Sequence, residues 1–225
     1  MTVPVPAISI LFPFRNAAPF IADALRSITC QSFREWELLA LDHGSTDASV
    51  DIVRRAGDPR IRILDVRDTP TLGAVLNRGW TAAAGCYIAR MDADDIACPK
   101  RLEEQFGFLE RSPEVGVCGS WIRILAPGIL PYTLRYPVGA ERARAFALFA
   151  APLSHPTVML RRDTFESHRL KYREDLPAAQ DTELWSRCAD AIGMDNLPRV
   201  LLRYRVHAGS VTVGRGEVSR LCVCE

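Results

Sequence analysis

Several absences narrow the chain before any motif is read. Its seven cysteines, at positions 30, 86, 98, 118, 188, 222 and 224, are odd in number and never take the Cys-x-x-Cys spacing of zinc sites. They read as reduced thiols of a cytoplasmic protein, several of them core residues. No apolar run approaches the roughly twenty residues of a spanning helix. The N-terminus also lacks the basic-then-apolar pattern of an export signal. Export and membrane insertion are therefore not expected, while peripheral association at the inner face of a membrane is compatible with the chain. Neither sign of charge dominates, because 28 basic and 27 acidic residues leave a net charge of +1. Nothing global calls for a nucleic-acid partner, so any phosphate binding must be local. There is no repeat, no low-complexity segment and no linker. With 225 residues and 48% hydrophobic content, the chain can bury one full core, and one domain over residues 1–225 is the expectation.

What is present centres on Tyr87-Ile88-Ala89-Arg90-Met91-Asp92-Ala93-Asp94-Asp95, an apolar run that ends in three carboxylates within four residues. The run reads as a strand of a parallel sheet, which places Asp92, Asp94 and Asp95 just past its carboxyl end, where open α/β sheets bind ligands. On extended backbone, alternation would point Asp92 and Asp94 the same way, with Asp95 turned elsewhere or capping the next segment. Clustered carboxylates repel unless a cation compensates, and hard oxygen ligands suit Mg²⁺ or Mn²⁺ beside phosphate. The alternative reading is a solvated acidic turn capping the helix that opens at Pro99.

The rest of the chain supplies the context. Ala7 to Phe12 reads as a first strand, broken by Pro13 and followed by Arg15-Asn16. A helix comes next on Phe20, Ile21, Ala24, Leu25 and Ile28. Trp36 to Leu41 reads as a second strand ending in Asp42-His43-Gly44-Ser45-Thr46-Asp47, with a helix over Val50, Ile52 and Val53. Ile61 to Val66 gives a third strand and Leu72 to Ala84 a third helix before the acidic strand. Such alternation predicts an α/β protein with a doubly wound, mostly parallel sheet. Beyond it lie a helix from Pro99 to Glu110 and a strand at Val115 to Cys118. A hairpin-like excursion over Trp121 to Leu134 leads to a helix from Gly139 to Phe149 and a knuckle at His155-Pro156-Thr157. The chain then gives a helix from Ala179 to Ala191 and a last strand from Val200 to Val206. Trp121 and Trp185 are expected in the core.

These blocks resemble a family-2 glycosyltransferase of the GT-A fold, from about Ile8 to Ser210. Ser9 to Asn16 resembles the family's opening strand and nucleotide loop, and Gln31-Ser32-Phe33 with Trp36-Glu37-Leu38-Leu39 the approach to its second strand. Asp42-His43-Gly44-Ser45-Thr46-Asp47 resembles the Asp-Asp-Gly-Ser-Thr-Asp loop, with His43 in place of an Asp. Leu76-Asn77-Arg78-Gly79 and Gly85 to Asp95 resemble its core signature. His155-Pro156-Thr157, Gln180-Asp181 with Leu184-Trp185, and Tyr204-Arg205-Val206-His207 resemble acceptor-side blocks.

The resemblance implies a small antiparallel acceptor-side portion beside the parallel sheet. Residues 1–120 would form the nucleotide-sugar half and residues 121–213 the acceptor half. Asp42 would hydrogen-bond the base, Pro13 and Arg15 would line that pocket, and Asp92 would hold the ribose, with Arg90 beside it. Asp94 would bind a divalent metal, Mn²⁺ or Mg²⁺, and His207 would be a further metal ligand or a phosphate contact. Asp181 would be the base that deprotonates the acceptor hydroxyl, and His155 would face the acceptor or be structural. The implied activity is inverting transfer from a nucleotide-diphosphate sugar, expected to be a UDP-sugar, to a glycan or lipid-linked acceptor in surface polysaccharide assembly. A sugar-1-phosphate nucleotidyltransferase should carry a Gly-rich basic loop, whereas Pro13 to Pro19 has no Gly and one Arg. A phosphatase of the haloacid dehalogenase kind would place its Asp-x-Asp motif near the start of the chain. A noncatalytic nucleotide- or glycan-binding module would leave Asp181 in an ion pair facing away from Asp94.

Overall fold

In the computed structural model residues 5–209 are described; Ser210, the tail beyond Gly214, and Cys222 and Cys224 lie outside the described residues. Strands β1 (Ile8–Phe14) and β2 (Trp36–Asp42) are buried at every position, as continuous apolar strands are when helices cover both faces. Between them, α1 (Ile21–Thr29) turns Ile21, Ala24, Leu25 and Ile28 inward at helical spacing. Then come α2 (Ser49–Arg55), the half-buried β3 (Ile61–Asp65), α3 (Leu72–Ala82) and β4 (Tyr87–Arg90). Thr71 caps α3 by accepting the Ala74 N–H at 3.2 Å.

The second half comprises β5 (Ile96–Ala97), α4 (Arg101–Arg111), β6 (Val115–Leu125) and β7 (Tyr132–Leu134). These lead to α5 (Ala140–Phe146), a 3₁₀ turn at His155–Thr157 and β8 (Met159–Arg161). Helices α6 (Arg162–Ser167) and α7 (Gln180–Ala191) and strand β9 (Gly193–Arg205) complete it.

All nine strands form one sheet, in the order β3-β2-β1-β4-β8-β6-β9-β5, with β7 also on β6. Ladders β3-β2, β2-β1, β1-β4 and β6-β9 are parallel; β8 on both neighbours, β7 on β6 and β5 on β9 are antiparallel. The core lies in two layers. Ile10, Phe12 and Leu38 pack with α1 and α4 on one face, and Leu11, Leu39 and Leu41 with α3 and α7 on the other. Strand order reverses between β1 and β4, and crevices at such reversals, outside the carboxyl ends of the strands, are where α/β sheets bind ligands.

The structure corrects several expectations. Pro13 does not break the first strand, because the ladder with β4 stops at Leu11 and Pro13 needs no donor on that side. The expected break between Cys118 and Trp121 is absent, and β6 runs unbroken to Leu125. The last strand begins at Gly193 rather than Val200. Its register on β6 jumps from Ser120–Leu197 to Trp121–Val200, so Pro198 and Arg199 sit in a bulge where a missing N–H is tolerated. Buried Asn196 donates to the Pro137 and Pro152 carbonyls, while its Oδ1 has no hydrogen-bond partner among the described residues. Trp185 is fully buried, but Trp121 is only half-buried, with its ring N–H on the Tyr136 carbonyl at 3.0 Å.

Candidate active site

Residues 92–95 are not extended. The Asp95 N–H donates to the Asp92 carbonyl at 3.3 Å, closing a turn, so alternation is not what brings the acids together. One carboxylate oxygen from each of Asp92, Asp94 and Asp95 lies within 4.8 Å of the others. Asp95, expected to point away, is fully buried within this cluster. The turn is held from both sides. Met91 donates to the Leu11 carbonyl at 3.1 Å, while β5 fixes the outgoing chain against Leu202 and Arg203 of β9. From the end of β9, the Arg205 N–H donates to Asp95 Oδ1 at 3.0 Å and His207 Nε2 meets Asp94 Oδ2 at 3.0 Å. The His207 ring stacks on Phe20, with centroids 4.3 Å apart.

Three carboxylates this close need compensation. Arg90 is buried and forks onto Asp92, Nη1 to Oδ2 at 2.5 Å and Nη2 to Oδ1. Beneath it, buried Arg101 of α4 donates to the Arg90 carbonyl at 2.6 Å and to Gln105 at 3.0 Å. Burial pulls the Arg101 pKa down to about 10, against the pull of the Asp95 charge. The cations do not cancel the acids. Desolvation pushes Asp92 up to about 6; Arg90 opposes this, and Asp94 and, more weakly, Asp181 add to it. Asp95 is raised well above the usual carboxylate range, first by desolvation and then by Asp92 and Asp94. Its Oδ2 is buried without a hydrogen-bond partner among the described residues. Surplus negative charge, an unpaired buried oxygen and a facing imidazole form a donor set that fits a hard divalent cation.

Asp181 lies in the first turn of α7, half-buried. Ala179, in the left-handed region at φ 58°, sets the entry of that helix. Among the described residues Asp181 forms no ion pair, and its charge acts on Asp92, Tyr136 and Tyr172, raising the pKa of each, so it lies within electrostatic range of the acidic turn. Burial pushes Tyr136, which is hydrogen-bonded to Ser154, up to about 12, and raises Tyr172 further. The Tyr172 hydroxyl lies 2.8 Å from His155 Nε2. His155 is buried, and its pKa is held well below the usual imidazole value by burial and by Arg90.

On the opposite side, Pro13, Phe14, Arg15, His43, Leu72, Val75 and Asp92 line a cleft of about 140 Å³. Arg15 is exposed at its rim. The two loops that wall it are tied together. Asn16 donates through its N–H to Ser45 Oγ at 3.1 Å and accepts from Thr46 at 2.8 Å, and Ala17 donates to Ser49 at 2.8 Å. Asp42 is buried and its Oδ1 accepts the Ser45 N–H at 2.8 Å, which shapes this loop. His43 Nε2 lies 2.8 Å from the Thr69 carbonyl. A carbonyl only accepts, so Nε2 carries the proton and Nδ1 of the neutral ring is an acceptor. Sequence reasoning treats His43 only as a replaced Asp and passes over Arg101, Tyr136 and Tyr172. A signal for Arg101 exists, since it shares the inward face of α4 with Leu102, Gln105 and Leu109.

Comparison with known proteins agrees with this architecture. The family profile described as Glycosyl transferase family 2 matches residues 9–168. An uncharacterized glycosyltransferase of Haemophilus influenzae is 28% identical over 218 residues, 92% of this chain and 68% of the relative. The amylovoran biosynthesis glycosyltransferase AmsE of Erwinia amylovora is 28% identical over 200 residues, 87% of this chain and 74% of the relative. Among solved structures, S. aureus TarS 1–349 in complex with UDP-GlcNAc superposes with a TM-score of 0.75 at 18% identity, covering 90% of this chain and 59% of that one. The mannosyltransferase PcManGT from Pyrobaculum calidifontis in complex with GDP-Man and Mn²⁺ gives 0.73 at 19%, covering 96% and 61%. The fold is thus the GT-A glycosyltransferase fold, and the chain spans about three fifths of the length of these solved chains. No helix among the described residues is long and apolar enough to cross a membrane.

Proposed function

The chain belongs to glycosyl transferase family 2, and on that premise we propose that it transfers a sugar from a nucleotide-diphosphate sugar to a hydroxyl of a glycan or lipid-linked acceptor, with inversion. The observation that carries this reading is the acidic turn 92–95 at the β1/β4 reversal, with Asp181 on the first turn of α7 within electrostatic range of it. UDP-GlcNAc and GDP-Man in the two structural neighbours support a nucleotide-sugar donor, and we favour a UDP-sugar. The amylovoran relative supports a role in surface polysaccharide assembly.

Each residue then has a task. The cleft between Pro13, Arg15 and His43 takes the nucleoside, and Nδ1 of His43, bare in the tautomer that donates from Nε2 to Thr69, accepts an imide N–H of the base. Asp42 keeps that loop in shape through Ser45. Asp92, held by Arg90, accepts from the ribose hydroxyls. Asp94 and His207 would hold Mn²⁺ or Mg²⁺, which when bound neutralises the diphosphate leaving group. Asp181 takes the proton of the acceptor hydroxyl as that oxygen bonds to the anomeric carbon and the diphosphate departs. One base on one side of the sugar gives a single displacement, hence inversion.

The test is thermal unfolding with UDP, with and without Mn²⁺. A ligand at about a hundred times its dissociation constant should stabilise by roughly 2.7 kcal/mol. Asp94→Asn should lose the Mn²⁺-dependent part while remaining folded. Equal stabilisation in excess EDTA would remove the metal from the scheme, and no stabilisation by any nucleoside diphosphate would remove the donor site.

A further inference from the structure

Six large apolar side chains are exposed among the described residues, and five of them fall in the single excursion between β6 and β8. Ile129 and Leu130 lie beyond β6 at 49% and 88% exposure. Phe146, Leu148 and Phe149, at 38%, 79% and 87%, fall within four residues where α5 ends. The charges of residues 129–149 are Arg135, Arg142 and Arg144 against Glu141 alone, all four exposed. That local excess of two positive charges stands out in a chain whose net charge is +1. Arg144 meets Asp190 only at 3.5 Å, and Arg142 forms no ion pair among the described residues. Exposed apolar side chains interleaved with arginines are the composition of segments that lie in a membrane interface.

We propose that this face docks the protein on an anionic lipid surface, with Phe146, Leu148 and Phe149 entering the boundary between headgroups and acyl chains and Arg142 and Arg144 meeting lipid phosphates. Two observations favour lipid over a second copy of the chain. Leu130, Leu148 and Phe149 stand almost fully clear of the protein, which suits a soft phase that closes around them. A twofold contact through this face would also set one patch of net positive charge against an identical one. The site's acceptor side is continuous with the face. Tyr136, from the same excursion, feels the Asp181 charge, and α5 packs on α7, which carries Asp181. The inference rests on the lipid-linked form of the proposed acceptor and names the surface at which such an acceptor would be presented.

Co-sedimentation with vesicles tests it. Phosphatidylethanolamine–phosphatidylglycerol vesicles should bind the protein at least tenfold better than phosphatidylcholine vesicles, and 0.5 M salt should weaken that binding. The double variant Leu148→Glu, Phe149→Glu should bind at least tenfold more weakly, and Arg142→Glu, Arg144→Glu should lose the preference for anionic lipid. Both variants should keep the thermal stabilisation by UDP and Mn²⁺, so failure here is distinct from failure of the nucleotide-sugar reading. Wild-type protein that ignores anionic vesicles overturns the proposal. So does a solution dimer that the Leu148, Phe149 variant dissociates while vesicle binding is absent, which would make the face an interface between copies.

Discussion

At the scale of single residues, the proposed site separates groups that hold charge from groups that move it. Asp181, proposed as the base, forms no ion pair among the described residues and is half-buried. Asp181→Asn keeps its shape and removes the acceptor, so turnover should fall by about 10² to 10⁴-fold with donor binding nearly intact. A near-normal rate, or a product with retained anomeric configuration by NMR, would defeat the assignment of base and inversion together. His43 calls for a separate measurement. Its Nδ1 should contribute one neutral hydrogen bond to the base, about 0.5–1.5 kcal/mol, so His43→Leu should weaken UDP binding roughly two- to tenfold and leave inorganic diphosphate unaffected. If Asp42→Ala shows that selective loss and His43→Leu does not, the base contact belongs to Asp42, and the buried carboxylate has more to do than hold Ser45. Calorimetric titration of both ligands into both variants distinguishes the two.

Elements explain which parts of this arrangement the sequence announces. The first four strands are legible because each is a short apolar run closed by a polar loop, a pattern written in adjacent residues. The pairing of β6 with β9 is not legible, because it joins residues far apart and hides its register behind the Pro198–Arg199 bulge and the polar Asp195–Asn196. For the same reason the acids after β4 could be named from sequence, while Tyr136 and Tyr172, which come from loops of other parts of the chain, carry no local signal; Arg101 carries one only in its place on the inward face of α4. Alternation misjudges Asp95 because residues 92–95 form a turn, a departure from strand geometry that no local period records. The position of that turn depends on how closely β4 approaches β1. A Cβ on Gly85 would stand 2.6 Å from the Ser9 nitrogen and 2.9 Å from the Ile8 carbonyl carbon, both backbone atoms that cannot step aside. The Gly85 N–H also donates to Ser9 Oγ at 2.8 Å, and Ser9 in turn to Glu37 at 2.7 Å. Gly85→Ala should therefore cost about 1–3 kcal/mol in denaturant unfolding and, by shifting β4, weaken nucleotide binding as well. An unchanged midpoint would show that β4 has room to move and that the register does not fix the acidic turn.

For the whole molecule, the acidic turn is a destabilising feature placed where β4, β5 and β9 converge, and pH reports its cost. The pKa of Asp92 is raised from 3.8 to about 6, so between those values the folded protein holds a proton that the unfolded chain has released. Stability conferred by the cluster is therefore greatest below about pH 4, falls as pH rises through the window up to 6, and stays low above it; the raised Asp95 extends the loss in the same direction. His155 acts oppositely, because its depressed pKa costs stability as pH falls below the ordinary imidazole value near 6.5. Wild-type curves therefore mix the two effects, and a difference isolates the cluster. Asp92→Asn removes its titration, so relative to wild type the variant should gain melting temperature at pH 7 and lose that advantage by pH 4. Mn²⁺ should do for the wild type at pH 7 what protons do at low pH, raising the melting temperature more at pH 7 than at pH 5, where proton and cation compete for the same carboxylates. Melting curves at both pH values, with Mn²⁺ and with EDTA, decide the matter. Equal Mn²⁺ increments at pH 5 and 7, together with parallel pH profiles for wild type and Asp92→Asn, would mean that the three carboxylates are satisfied by Arg90, Arg101 and His207 alone and that no cation is needed to balance them.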